Sequence, residues 1–340
     1  MNYNLFYQGS VKNLFEGQDD ILFEYSDRYS LFDWGEMPDH LEKKGEALAV
    51  MGALFFAEVE KHNIPHHFLA LSDKSGHKLD WTPTPYLKVK KVSVTRPAKT
   101  ESGYDYSFYQ TRPQEGLVPL EVMFRFGAGS GSSLIKRAAA TPALLEQWNL
   151  SKLEEGKLWD LPLIDFSTKL EKGDRYLTHQ EAQEVAGLNS QEFSLLIDQT
   201  IKVAMVLRNI FTQMGLELWD GKLEWAFNLG ENRSFMLVDS IGLDELRLQK
   251  NGKSLSKEFL REYYRSTPWY HTLTTAKSIA DRTGQDFKKL CNQEPPHLPA
   301  PEKELATSLY LAFTNDLAQL VIGQTIFNPK FTLSNWKGWA

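Results

Sequence analysis

A chain of 340 residues with 42% hydrophobic content can bury a full core and is long for one compact unit, so two lobes are expected. The net charge of −6 excludes a general electrostatic attraction to nucleic acid or to an anionic membrane, and leaves room for a local basic pocket that takes a small anion. With Cys291 as the only cysteine no intrachain disulfide can form, and a reducing compartment is expected.

The first third reads as strands. "YNLFYQG", "VKNLFEG" and "DDILFEYSD" are short, rich in aromatic and branched residues, and separated by Gly and Asp turn signals, which predicts antiparallel pairing. The opening "MNYNLFYQG" lacks the basic region and apolar core of a signal peptide. Leu48, Met51, Phe55 and Val59 then recur at helical spacing over residues 46–61, with Pro65 as the stop. This apolar run is too short and too closely flanked by Glu46 and Glu58 to span a bilayer, so the expectation is a soluble cytoplasmic protein. "PYLKVKKVSV" alternates like a strand, and "LVPLEVMFR" is expected to be its partner. The polar stretch between them, near residues 95–116, reads as a loop or local insertion.

The second half is richer in helix. Phe193, Leu196, Ile197, Ile201, Ala204, Met205, Phe211 and Met214 form an apolar stripe over residues 191–214, ended by Gly215. Residues 218–240, "LWDGKLEWAFNLGENRSFMLVDS", have the bounds of a β-hairpin. "SKEFLREYYR" follows as a helix, the prolines of "QEPPHLPAPEKE" preclude one, and a last helix is expected over about 302–322 with Leu305, Leu309, Phe313, Leu317 and Leu320 inward.

The hairpin carries the clearest chemical signal. Successive strand side chains face opposite ways, so Asp220, Lys222 and Glu224 share one face while Leu223 and Trp225 share the other. The second strand is apolar on both faces and delivers Asp239 at its end, which suggests a covered sheet, where carboxylates must be paired or hold a metal. Glu224 and Asp239 could supply the one or two carboxylates that Mg²⁺ usually takes from protein, with Lys222 meeting an anionic substrate. A structural ion-pair ladder is the alternative.

Two further stretches suit phosphate. In "GSVKNLFEG", Gly9 between strands and Lys12 three residues on can bring backbone N–H groups and an ammonium together, although a plain turn fits as well. In "EVMFRFGAGSGSSLIKR", Arg125 ends an apolar strand before small residues, hydroxyls and the cations Lys136 and Arg137; a flexible surface loop is the alternative. His62, His66 and His67 lack a carboxylate or cysteine at metal spacing, and read as a partly exposed turn with no assigned role.

Taken in this order, "GSVKNLFEG", "EYSDRYSLFDWGEMPDHLEKKGEAL", "VPLEVMFR", "PLIDFSTKLEKGD", "DGKLEWAFN", "MLVDS" and "PPHLPAPEKELATSLYLAFTNDL" resemble the SAICAR synthetase family over nearly the full chain. The resemblance implies a two-lobed α+β fold related to the protein kinase and ATP-grasp superfamily, mostly antiparallel sheets with helices, with lobes at residues 1–120 and 121–340 and ATP in the cleft between them. It implies an ATP-dependent carboxylate-amine ligase that phosphorylates the carboxylate of CAIR, lets L-aspartate displace phosphate, and gives SAICAR, ADP and phosphate, with ATP and Mg²⁺ bound. Position by position, Gly9 and Lys12 fall in the phosphate-covering hairpin and Lys169 matches a cation near the nucleotide. Glu224 and Asp239 match metal ligands. Lys222, Arg125, Asp244 and Arg247 match residues that hold the imidazole nucleotide, and its phosphate loop would use Ser130 or Ser133. Small-molecule partners are implied, with neither nucleic acid nor membrane, and a homo-oligomer is compatible.

The chain departs from the family pattern at Ser10, at Arg175 and Tyr176 in "GDRYL", at Ser240, and at Leu246 in "DELR". These changes fall more on the acceptor side than on the metal side. They leave open a paralogous ATP-dependent ligase or small-molecule kinase with another acceptor, and a catalytically silent nucleotide-binding relative.

Overall fold

The structure, a computed structural model, describes residues 3–101, 103–129, 132–141, 143–228 and 233–339. Five strands open the chain, β1 (Asn4–Gln8), β2 (Lys12–Glu16), β3 (Asp20–Tyr25), β4 (Arg28–Ser30) and β5 (Glu36–His40), and helix α1 (Lys44–Lys61) follows. Next come β6 (Phe68–Ser72), β7 (Tyr86–Lys90), the short antiparallel pair β8 (Ala98–Thr100) and β9 (Gly103–Asp105), and α2 (Ser107–Gln110). The middle holds β10 (Gly116–Gly127), α3 (Ser133–Ala140), α4 (Ala143–Glu146), β11 (Leu158–Thr168), β12 (Tyr176–Leu177), α5 (His179–Val185) and α6 (Ser190–Gln213). Strands β13 (Glu217–Asn228), β14 (Ser234–Val238) and β15 (Leu246–Lys250) precede α7 (Lys257–Arg265), α8 (Pro268–Thr283), α9 (Phe287–Leu290) and α10 (Ala300–Ile322).

These elements form two compact units that alternate along the chain, one of Met1–Leu54, Leu69–Val89 and Asn251–Ala340, the other of Phe55–Phe68 and Lys90–Lys250. Both combine helices with antiparallel strand pairs, an α+β architecture.

In the first unit the sheet runs β1-β2-β3-β7-β6. Helix α10 begins where the proline run ends and stops at Gly323, which takes the left-handed φ of 67°. By length and composition α10 could cross a bilayer, yet 56% of its apolar window is buried, and it packs on α1 through Thr314 Oγ1, 3.4 Å from the Ala47 carbonyl. Leu309, Phe313 and Leu317 point inward as the spacing predicts, but Leu320 is exposed, because the apolar stripe drifts off the core face in the last turn.

In the second unit the sheet runs β12-β11-β10-β13-β15, with β14 also pairing with β13. Helix α6 has the predicted extent and covers one face, with Phe193 against Phe166 at 5.2 Å between rings. Both residues of its Asn189 to Glu192 capping box are present, satisfying N–H groups that a helix start leaves open. Met205, expected in the stripe, is exposed. The predicted pairing of "PYLKVKKVSV" with "LVPLEVMFR" does not form: β7 joins the first sheet, and β10 lies between β11 and β13. Strand β10 is buried almost throughout and so takes a central place between two strands, whereas β7 alternates in burial.

Candidate active site

Directly opposed residues of antiparallel strands share a face, so register decides what meets the charged row of β13. Asp220 lies opposite Arg125, Lys222 opposite Met123, and Glu224 opposite Glu121. On the far side of β10, Asp165 faces Met123 and Ser167 faces Glu121. Arg247 of β15 faces Asp220. Three strands therefore extend the predicted charged face into a two-dimensional array, while Val122, Phe124, Ile164, Phe166, Leu223 and Trp225 bury the other face.

One end of the array is a carboxylate and lysine cluster. Lys169 Nζ lies 2.6 Å from Glu224 Oε1 and 3.3 Å from Glu121 Oε1. Lys222 Nζ bridges the same two carboxylates, contacting Glu121 and reaching Glu224 Oε1 at 3.5 Å. The Glu121 and Glu224 side chains are 8% and 7% exposed, while those of Lys169 and Lys222 are 27% and 34% exposed, so the cluster is reached from the lysine side. Burial raises the Glu224 carboxyl, and the nearby Asp239 charge raises it further against the pull of Lys169 and Lys222. Burial would lower the Lys169 ammonium, but Glu224, Asp239 and Glu121 outweigh it and hold it charged. For Glu121 burial is likewise outweighed, by Lys222 and Lys169, and its carboxyl is lowered.

The other end is a guanidinium network. Asp165, with no exposed side-chain surface, accepts from Arg125 Nε at 3.2 Å and Nη2 at 3.0 Å, and from Arg137 Nη1 at 3.3 Å. Arg125 also lies 3.6 Å from Asp220, which accepts from Arg247 Nη1 at 2.7 Å. Arg137 stacks on the Tyr176 ring, 3.7 Å from its centroid. Guanidinium groups carry more donors than two carboxylates use, which suits a phosphate.

The remaining candidate residues fall as follows. Strand β14 ends at Val238, opposite Glu224, and Asp239 turns into the left-handed region with φ 63°. His62 is exposed and His66 partly exposed, as expected, but His67 is buried and its Nε2 donates to the Asp239 carbonyl at 2.9 Å, which corrects the partly exposed reading for His67. Ser133 begins α3, behind the Ser132 N-cap, and its hydroxyl lies 3.4 Å from Tyr176 Oη; the flexible loop alternative for this residue gives way to a helix start. Ser130 lies outside the described residues. Asp244 is half-buried in the turn before β15, and Leu246 packs inward opposite Gly221.

Gly9 and Lys12 belong to the first unit, at the turn between β1 and β2. The Gly9 N–H donates to the Lys12 carbonyl at 2.9 Å and closes the turn, and a side chain at Gly9 would meet that carbonyl at 2.8 Å. Lys12 Nζ sits 4.2 Å from the Phe23 ring centroid. Glu121 and Asp165 had no role in the sequence reading, which named Arg137 only as a cation suited to phosphate. The i, i+4 spacing of Glu121 and Arg125 on a strand, placing both on one face, was the available signal.

The family model for SAICAR synthetase matches residues 5–275. The chain belongs to the SAICAR synthetase family. A protein of Archaeoglobus fulgidus, provisionally named phosphoribosylaminoimidazole-succinocarboxamide synthase, is 39% identical over 310 residues, covering 91% of this chain and 90% of its own. The phosphoribosylaminoimidazole-succinocarboxamide synthase of Thermoplasma volcanium is 30% identical, covering 79% and 86%. Among solved structures, the fold is similar to the SAICAR synthase of Saccharomyces cerevisiae complexed with SAICAR, with a TM-score of 0.64, 18% identity and coverage of 96% and 97%. It is also similar to a SAICAR synthetase in complex with ADP, with a TM-score of 0.56, 22% identity and coverage of 82% and 98%.

Proposed function

We propose that this SAICAR synthetase family member is an ATP-dependent ligase of purine biosynthesis, joining L-aspartate to the carboxylate of CAIR to give SAICAR, ADP and phosphate in the cytoplasm. A carboxylate oxygen of CAIR attacks the γ-phosphorus of ATP, the bond to ADP breaks, and an acyl phosphate results. The aspartate amine then attacks the acyl carbon, the carbon–oxygen bond to phosphate breaks, and the nitrogen loses a proton. The observation that carries this reading is the Glu121, Lys169, Lys222 and Glu224 cluster, built by the "VPLEVMFR", "STK" and "DGKLE" segments on one sheet face.

In this reading Lys169, at the start of the loop after β11, and Lys222, on β13, neutralise charge that develops during phosphoryl transfer. Gly9 and Lys12 cover the nucleotide phosphates. Lys222, Arg125, Asp244 and Arg247 hold the imidazole nucleotide, and Ser133 or Ser130 meets its phosphate. The family resemblance also supports a kinase and ATP-grasp relationship and a lobed arrangement around ATP. Among the described residues no group of three or more His, Cys, Asp or Glu side chains forms a ready-made metal cage. Glu224 and Asp239 nevertheless fit a divalent ion that keeps most of its positions for water and phosphate, since two carboxylates lie close enough to raise Glu224, and the recorded lysine contacts of Glu224 fall on Oε1 alone. When bound, Mg²⁺ would offset the charge of the triphosphate oxygens.

The test is coupled ADP release across a substrate panel. Release that requires both CAIR and aspartate is expected. Release with a different acceptor would favour the paralogous ligase or kinase, and nucleotide binding without turnover the silent relative. Asp239→Asn should reduce turnover by about three orders of magnitude or more with an unchanged circular-dichroism spectrum; wild-type rates in this variant would remove the metal assignment.

A further inference from the structure

The segment 95–116, for which the sequence suggested only a loop or insertion, has ordered structure of its own in β8, β9 and α2. Its residues Tyr104 and Tyr106 hold the loop 169–175 that joins β11 to β12. The Lys172 N–H donates to Tyr104 Oη at 2.9 Å, and Tyr106 Oη donates to Glu171 Oε1 at 2.9 Å. Glu171 also accepts from Arg175 Nε at 3.3 Å and Nη2 at 2.9 Å, and its side chain is 8% exposed. Burial, then the Glu171 carboxylate, pushes the Tyr106 phenol up, so it remains a protonated donor.

The base of the segment is fixed independently. Tyr109 is buried and donates through Oη to the Thr95 carbonyl at 2.7 Å, while Gln110 donates to the Glu184 carbonyl. The Tyr109 carbonyl packs so closely on Gly187 that a side chain there would sit 2.0 Å away. Such an element can hold a loop rather than follow it.

The two ends of the loop differ in their other supports. At the start, the Lys169 N–H donates to the Pro119 carbonyl at 3.0 Å and its ammonium is held by Glu224 and Glu121. At the end, the backbone is likewise anchored, with the Thr168 N–H donating to the Arg175 carbonyl at 3.0 Å and Tyr176 paired with Ser167, while the Tyr176 side chain stacks on Arg137, which shares Asp165 with Arg125, and lies 3.4 Å from the Ser133 hydroxyl. The difference lies in the side chains: two carboxylates lock the Lys169 ammonium, whereas Tyr176 is 38% exposed and rests on a stack and a long hydroxyl contact, so loosening the loop should disturb the guanidinium end of the site more than the lysine end.

We propose that the segment 95–116 is a brace for the loop 169–175, with Tyr106 and Glu171 as positioning residues that set the Tyr176 and Arg137 side of the imidazole-nucleotide site. The inference rests on the ligase reading above.

The test uses the full chain with Tyr106→Phe, Glu171→Gln and the double variant, measuring KM separately for CAIR and ATP together with kcat and Tm. Loss of this charge-assisted bond should raise the KM for CAIR about five- to tenfold, leave the KM for ATP within about twofold, and give a double variant little worse than the weaker single one. Unchanged constants, or equal rises for CAIR and ATP with a fall in Tm, would overturn the proposal by reducing the contact to a structural one. Absence of wild-type turnover with CAIR, aspartate and ATP would instead sink the ligase reading and this inference with it, whereas wild-type turnover with unaltered variants sinks the inference alone.

Discussion

Asp165 has no exposed side-chain surface and binds two guanidinium groups, so removing it leaves Arg125 buried beside fewer opposite charges. Breaking a buried pair by deleting one partner typically destabilises by about 3–5 kcal/mol, because the remaining charge stays desolvated. Asp165→Ala is expected to lower the urea midpoint accordingly, and a variant with an unchanged midpoint would show that the network carries no such strain. At this scale the sequence was legible where alternation alone sets direction: Asp220, Lys222 and Glu224 do share a face. It was silent on Asp165 and His67, whose roles depend on strands and turns distant in sequence, with His67 reaching the carbonyl of Asp239.

Elements with strong local signals formed where expected, among them α1, α6 and α10, whose apolar spacing and stop residues act within a few turns. The proline stretch before α10 is held in the first unit by Asp39, which accepts from the Leu298 N–H at 2.7 Å and lies 3.1 Å from His297 Nδ1. Burial alone would raise the Asp39 carboxyl; the Leu298 N–H, His297 and Lys303 outweigh it and hold it below its ordinary value of 3.8. A carboxyl lowered by folding contributes stability that is present above the unfolded value and lost as pH falls through the folded one. Asp39→Asn should therefore be less stable than the wild type at pH 7, with the gap closing toward pH 3 in urea titrations; an equal gap at both pH values would remove the charge from the account. Strand partners were less legible, since a strand's own residues show whether it is buried on one face or two, as β7 and β10 differ, but not which strands lie beside it.

At the scale of the molecule, a ligand that binds only the folded chain raises stability by about 2.7 kcal/mol at a hundredfold excess over Kd. ADP should raise Tm, and Mg²⁺ with ADP should raise it further in the wild type but not in Glu224→Gln; the same metal increment in both would take Glu224 out of the metal site. Residues 251–340 belong to the same compact unit as the N-terminal strands, a grouping made by contacts between segments far apart in the chain.

By itself the sequence determined the helices α1, α6, α7 and α10, the strands of the hairpin, its charged face and the family, because periodicity, turn chemistry and ordered motifs are all properties of residues near one another along the chain. Only the tertiary structure decided that Glu121 meets Glu224 under two shared lysines, that Asp165 joins Arg125 to Arg137, and that Tyr106 holds Glu171. Each of these needs a strand register or a loop contact, and register is chosen by the summed burial and charge of whole strands.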